Sequence, residues 1–434
     1  MPMHEETERT FRFCPGPSAL KEGCGAVVFG HNKKFKWFWK DTGDPEEGEM
    51  LPQSEESESE PKFNDSGIGS SLRSSAVEGS SSCEFFTREH YKIGIVCALP
   101  KELKAIRVLF DSKHGYPVIP LEDTNHYALG QIGQHNVVAA CLPLRRYGTN
   151  SAANVVTNMM RSFTKVENYL LVGIGGGVPL NNDIRLADVV VSVPTNDHAG
   201  VIQYDFGKVL ENGIFELTGY LQGLSSFLLT AISSLEANPD ISCTPLQEDI
   251  EKIAKAVPEY GYPGLNNDRL FAPQCVHNPI CKTCERCDGP RIERNHQPNN
   301  HPHIHYGLIT SRNQLMKNAQ TRDDLGMKYN FLCFEMEAAG IMASVPCLTI
   351  RGICDYADSH KNDLWQEYAS ATAAAYAKFL LSIMRNQNDM ESTLEDWETV
   401  KSSYSKKKSS TIFTAYKVAS AKEATEVIKK AYPD

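Results

Sequence analysis

A chain of 434 residues, 41% of them hydrophobic, exceeds one ordinary domain and supplies one large core with appendages of lower complexity. The formal net charge of -10 excludes a protein that tracks a nucleic-acid backbone with lysine and arginine, so the expected partner is a small molecule and not a nucleic acid. No run of about 18 apolar residues occurs, and the opening Met1-Pro2-Met3-His4-Glu5-Glu6 has no signal-peptide pattern, which predicts a cytoplasmic or nuclear chain without membrane contact.

Residues 1–88 carry little hydrophobic periodicity. The acidic stretch Glu55 to Glu60 and the serine-rich stretch Ser66 to Ser82 cannot bury enough surface to offset the entropy of ordering, so this region is expected to be mostly disordered. Its one aromatic island, Lys33 to Lys40, reads as a short strand pair or a loop with lysine stems along the rings, and docking on a partner is the alternative.

From Tyr91 short apolar runs alternate with helical patterns. Ile93–Val96, Asn136–Ala140, Tyr169–Val172, Asp188–Val191, His305–Ile309 and Cys347–Ile350 read as buried strands. Pro100–Phe110, Ser151–Phe163, Ser225–Leu235, Glu337–Ser344 and Trp365–Met384 read as helices, with Pro100 in a first helical turn. The expected fold is α/β, in three layers with a mixed central sheet and helices on both faces, over residues 89–386. Residues 387–434 form a polar tail, through Lys406 to Lys408, ending in a short amphipathic helix at Ala421–Ala431, and are read as a solvated linker. Cys97, Cys141, Cys333, Cys347 and Cys354 sit singly in apolar runs, as buried thiols of a reducing compartment do.

Acidic residues at strand ends are the candidate chemistry, because ligands of open α/β folds gather at the carboxyl ends of strands. Glu335 and Glu337 follow Phe331–Phe334. On spacing alone they fit either helix-start carboxylates or acceptors for a sugar diol. Asp355 ends the run that contains Cys347–Ile350 and fits either a turn former or an acid that protonates a purine, with Asp358 and His360 close enough in sequence to tune it. Gly173 to Gly177 reads either as a tight turn or as bare backbone, at Gly173, Ile174 and Gly175, that a ribose or phosphate approaches. Glu102, in the first turn of the Pro100 helix, fits a surface charge or a base for water.

In their joint order, across roughly residues 91–385, these residues resemble the nucleoside phosphorylase and nucleosidase superfamily. The resemblance implies that Glu337, in Met336-Glu337-Ala338, holds the ribose hydroxyls with Met336 beside the sugar. It implies that Asp355 protonates the purine, with Cys354 where a serine is usual. Glu102 falls where the branch that resembles methylthioadenosine nucleosidase activates water. Leu315 and Met316 fall where residues flank the purine, although an aromatic is frequent at Leu315. Tyr147 to Ala153, Gln203 to Lys208 and Asp355 to Lys361 resemble the fungal version of the domain, which is often fused into immune-receptor-like proteins.

The nucleophile is read as water. Val172 stands where many phosphorylases of the family place an arginine, and Glu102 is present, whereas Arg145 and Arg146 keep a phosphate or a nucleotide substrate in play. The expected activity is release of a purine base, with adenine favoured, from a nucleoside or nucleotide, and no cofactor is required. A phosphate-dependent phosphorylase and a non-catalytic sensing or adaptor module are the competing readings. The resemblance also implies a homo-oligomer.

An insert at about 262–303 departs from the compact family pattern. It holds Cys275, His277, Cys281, Cys284 and Cys287, then His296, His301 and His303. The cysteine spacing admits a structural zinc on Cys281, Cys284 and Cys287 with Cys275 or His277 as a further ligand, but the reading adopted is an unliganded loop.

Overall fold

The computed structural model describes residues 86–385, apart from 196, 212, 238–243, 279, 281–283, 285–286 and 296–300, and upstream of them only the backbone of three short strands. The chain divides into two units, Met1–Ser80 and Ser81–Asp434. In the first, β1 (Ala26–Val28), β2 (Lys36–Phe38) and β3 (Glu47–Gly48) form an antiparallel sheet with Val27 opposite Trp37. The aromatic island thus supplies a strand with two neighbours. The acidic and serine-rich stretches, Lys406 to Lys408 and Ala421–Ala431 lie outside the described residues.

In the second unit β4 (Ile93–Cys97) leads into α1 (Pro100–Val108), followed by β5 (Ser112–Lys113), β6 (Tyr127–Ile132), β7 (His135–Cys141), α2 (Thr149–Ser162) and β8 (Asn168–Gly177). Next come β9 (Val189–Ser192), β10 (Val201–Gln203), the hairpin β11 (Gly207–Val209) and β12 (Phe215–Leu217), α3 (Ser226–Glu236) and α4 (Thr244–Ala256). The last elements are β13 (Ile304–Gly307), β14 (Ile309–Ser311), α5 (Ala319–Tyr329), β15 (Cys333–Glu335), α6 (Ala338–Met342), β16 (Cys347–Asp355) and α7 (Gln366–Ile383).

Every residue of β4 is buried, as expected of a strand covered on both faces. Ile93, Ile95 and Cys97 pack with α1, α3, α4 and α7, and Val96 packs with α2 and α6 on the opposite face. The three-layer α/β architecture follows from this alternation. Among the described residues the sheet has eleven strands, in the order β10-β14-β15-β8-β4-β7-β6-β5, with β16 joining β8 to β9 and β9 pairing β13. Its mixed character comes from the antiparallel pairs β6 with β7, β15 with β8 and β16 with β9.

The strand β8 positions the site. Its first residues run parallel to β4, Ile93 to Val96 facing Asn168 to Leu171, whereas Gly176 and Gly177 pair with Phe334 and Cys333 of β15. Where β8 changes neighbours, a cleft opens beyond the carboxyl end of β4. Gly173 to Gly177 is therefore strand and not a tight turn: glycine makes it look like a break, but pairing to β16 continues from Tyr169 to Gly176. His305–Ile309, read as one strand, is two. β13 pairs β9 and β14 pairs β10 and β15, with Leu308 between them.

Candidate active site

Four strand ends and one helix start converge on a cleft of about 480 Å³ whose lining includes Glu102, Ile174, Gly175, Glu335, Met336, Glu337, Arg351 and Asp355. That volume lies within the range of about 300–1,000 Å³ usual for small-molecule sites. The expected Glu102, Glu337 and Asp355 are thus brought together.

Glu102 is the third residue of α1, and Pro100 opens that helix. Its carboxylate Oε2 accepts hydrogen bonds from the N–H of Ala98 at 2.7 Å and of Leu99 at 2.8 Å, which holds the chain reversal after β4. Oε1 accepts from the N–H of Ile174 at 2.8 Å. The surface-charge alternative fails, since Glu102 is 1% exposed. Burial pushes its carboxyl pKa above the ordinary range, against the pull of Arg351 and the three backbone donors.

Arg351, four residues before Asp355, is a residue to which the sequence alone assigns no role. It is the charge in the middle of buried β16, which Asp355 ends, and is 1% exposed. Its Nη1 donates to the carbonyl of Ile174 at 3.1 Å, and its Nη2 donates to Glu337 Oε2 at 3.1 Å and to Glu335 Oε2. Gly173, opposite Arg351 in the β8–β16 register, makes this possible. A Cβ there would lie 2.5 Å from Glu102 Oε1 and 2.6 Å from Arg351 Nη1.

Glu335 and Glu337 differ in what occupies them. Besides Arg351, Glu335 accepts from the N–H of Glu337 at 2.9 Å and of Ala338 at 2.9 Å, so it caps the start of α6. Glu337 accepts at Oε1 from the N–H of Gly148 at 3.1 Å. Gly148 has φ +97°, a left-handed conformation that suits glycine at the start of α2. Burial first, and then the charges of Glu335 and Glu102, push the Glu337 carboxyl up to about 7 against Arg351.

Asp355 ends β16. Its Oδ1 accepts from the N–H of Ala357 at 2.8 Å, while Oδ2 accepts from the Cys354 thiol at 3.1 Å and pairs with the ammonium of Lys361. Burial disfavours the charge on Lys361, but Asp355 outweighs it and the lysine pKa is raised. Asp358 and His360, expected to tune Asp355, bond to each other instead, the His360 N–H donating to Asp358 Oδ1 at 2.8 Å. Lys361 is the group that reaches the acid. Its signal was only position, six residues beyond an aspartate with a turn between.

The remaining expected residues divide. Met336 and Met316 line the cleft, Met316 also packing with Phe331 and Phe334, and Leu315 lines it too, 54% exposed. Arg146 is not in the cleft. It lines a separate groove of about 1,100 Å³ with Lys104 and Arg107, because the loop before Gly148 turns outward, and Arg145 is exposed too. Lys317, unremarked in the sequence, lines the cleft instead. Val172 is buried in the core.

In the insert, His277, Cys284 and Cys287 cluster, whereas Cys275 Sγ lies 3.8 Å from His360 Nε2. Cys281 and His296 are outside the described residues. No helix among the described residues is long and apolar enough to cross a membrane.

Comparison with known proteins matches residues 92–385 to the model of the phosphorylase superfamily. The chain is 42% identical over 307 residues to a nucleotide-binding leucine-rich repeat (NLR)-like protein of Hyaloscypha variabilis, the match covering 69% of this chain and 30% of that protein. It therefore spans less than a third of that relative, in line with the expected kinship to domains fused into receptor-like fungal proteins. It is 25% identical over 302 residues to 5'-methylthioadenosine/S-adenosylhomocysteine nucleosidase of Mycobacterium tuberculosis, covering 67% of this chain and 96% of that one. Among solved structures, futalosine hydrolase of Helicobacter pylori aligns at a TM-score of 0.43 and 19% identity, over 67% of this chain and 97% of that one. With the matched segment spanning most of its length, the chain belongs to the phosphorylase superfamily.

Proposed function

We propose that this protein is a purine N-ribosyl hydrolase, acting on an adenine nucleoside or nucleotide. The observation that carries the reading is that Glu102, Glu337 and Asp355 line one cleft, with Arg351 between two glutamates. The similarity to a nucleosidase over 67% of the chain supports it.

Breaking an N-glycosidic bond leaves positive charge on the sugar and negative charge on the base. In its protonated form Asp355, placed by its contacts to Ala357, Cys354 and Lys361, gives the departing purine a proton at N7 and is left as the carboxylate that pairs with the Lys361 ammonium. Glu337 accepts hydrogen bonds from the ribose 2' and 3' hydroxyls and stabilises the cationic sugar. Glu102, its carboxylate held by backbone N–H groups, takes the proton of the attacking water. Met336, Met316 and Leu315 supply the apolar walls for sugar and base. This chemistry draws on side chains and water alone.

Phosphorolysis is the second reading, and one observation favours it: Lys317 lines the cleft and offers a cation for phosphate. Against it stand the buried Val172 and the outward Arg146. Incubation with adenosine, 5'-methylthioadenosine, inosine and ATP, with and without phosphate, tests the proposal. Free adenine at equal rates in both conditions is expected. Release that requires phosphate moves the assignment to a phosphorylase, and tight binding without turnover moves it to a sensing module.

A further inference from the structure

One side-chain cluster outside the cleft has ligand chemistry that nucleoside cleavage does not use. In the insert, the ligating atoms of His277, Cys284 and Cys287 all lie within 4.8 Å of one another, and each residue is half-buried. His277 Nδ1 is 3.1 Å from Cys287 Sγ and 3.7 Å from Cys284 Sγ. A tetrahedral zinc with bonds of about 2.3 Å to sulfur and about 2.0 Å to nitrogen sets those atoms about 3.5 Å apart. The two observed separations bracket that value.

We propose that His277, Cys284 and Cys287 bind a zinc ion that staples the insert onto the segment carrying Lys361. Two thiolates three residues apart plus an imidazole form a soft, nitrogen-and-sulfur set that favours zinc over magnesium or calcium. Cys275 faces His360 and is not part of the trio, and the fourth ligand is left unassigned.

The same residues grip the loop after β16. The His277 N–H donates to Ser359 Oγ at 2.9 Å, and the Cys284 thiol lies 3.3 Å from the carbonyl of His360. The His360 ring stacks on Phe271 with centroids 3.9 Å apart and meets the His277 ring edge-on at 5.6 Å. Lys361, the next residue, pairs with Asp355. A metal that fixes His277 thus holds the bond its N–H makes to Ser359, two residues before this lysine. The spacing of the cysteines alone favours an unliganded loop. The closeness of three ligand atoms from residues up to ten apart argues for the metal.

The test uses the full chain, free of any histidine tag and purified under reducing conditions with zinc present. Elemental analysis is expected to find roughly one zinc per chain, falling to about a tenth of that in the Cys284→Ser/Cys287→Ser variant. Should that variant fail to fold, the wild type loaded with cobalt(II) is expected to show a thiolate-to-cobalt charge-transfer band and the intense visible bands of a tetrahedral ion. A strong chelator is expected to lower the wild-type Tm. Wild-type protein without zinc, cobalt spectra lacking the thiolate band, or a Cys284–Cys287 disulfide in the peptide map would each overturn the proposal. None of these readouts depends on turnover, so the zinc site and the nucleosidase reading fail separately.

Discussion

Arg351 Nη2 donates to Glu337 Oε2 at 3.1 Å across the floor of the cleft, and the same nitrogen also serves Glu335. With Glu102 a third carboxylate acts on this guanidinium. One cation thus faces three buried acids, an arrangement that favours a bound proton on one of them and ties the charge state of the site to its fold.

Stability should therefore depend on pH through Glu337. Its folded-state pKa is raised from 4.5 to about 7, so the folded protein holds that proton more tightly than the unfolded chain. The contribution is complete below 4.5 and is lost as pH rises through about 7. Thermal melts are expected to show a lower Tm on the alkaline side of that window, with a smaller fall in Glu337→Gln. Parallel curves for wild type and variant would remove Glu337 from this role.

Arg351→Met should unfold or nearly unfold the domain. Removing one partner from a buried ion cluster costs about 3–5 kcal/mol, since the carboxylates lose the guanidinium that faces them. Arg351→Lys should recover part of the loss but not the contact to the Ile174 carbonyl. Denaturant titration reads both.

Gly173→Ala places a methyl 2.6 Å from Arg351 Nη1 and 2.5 Å from Glu102 Oε1, so both groups must shift. The expected cost is about 1–3 kcal/mol of stability and about a hundredfold in kcat/KM. A variant of unchanged turnover would show that Glu102 need not hold its place.

Asp355→Asn should lower kcat on purine nucleosides by about 10²–10⁴-fold. A riboside whose leaving group needs no proton, such as p-nitrophenyl riboside, should be affected far less. Equal losses on both substrates would assign Asp355 to positioning and not to proton donation.

Much of this was legible in the sequence, for physical reasons. Buried strands such as β4 announce themselves by unbroken apolar runs, and α1 by its proline start. Glu102, Glu337 and Asp355 had bland explanations one at a time and gained meaning from their order. The helix α5 was missed because Arg322 and Asp323 are buried on it as an ion pair, which disrupts the amphipathic pattern. α4 was missed although its Leu246, Ile250 and Ile253 are spaced for one helical face. The glycine run looked like a turn because glycine hides a strand whose neighbours change, and Arg146 looked available because loop direction is not written in spacing. Arg351 did leave a signal, a charge in the middle of an apolar run, and a buried charge implies a partner across the fold.

The most direct test of hydrolysis is the fate of the oxygen. Turnover of adenosine in water enriched in oxygen-18, with phosphate present, is expected to give ribose that carries the label at C1 together with free adenine. Unlabelled ribose 1-phosphate in its place would contradict the assignment of water as the nucleophile and of Glu102 as its base.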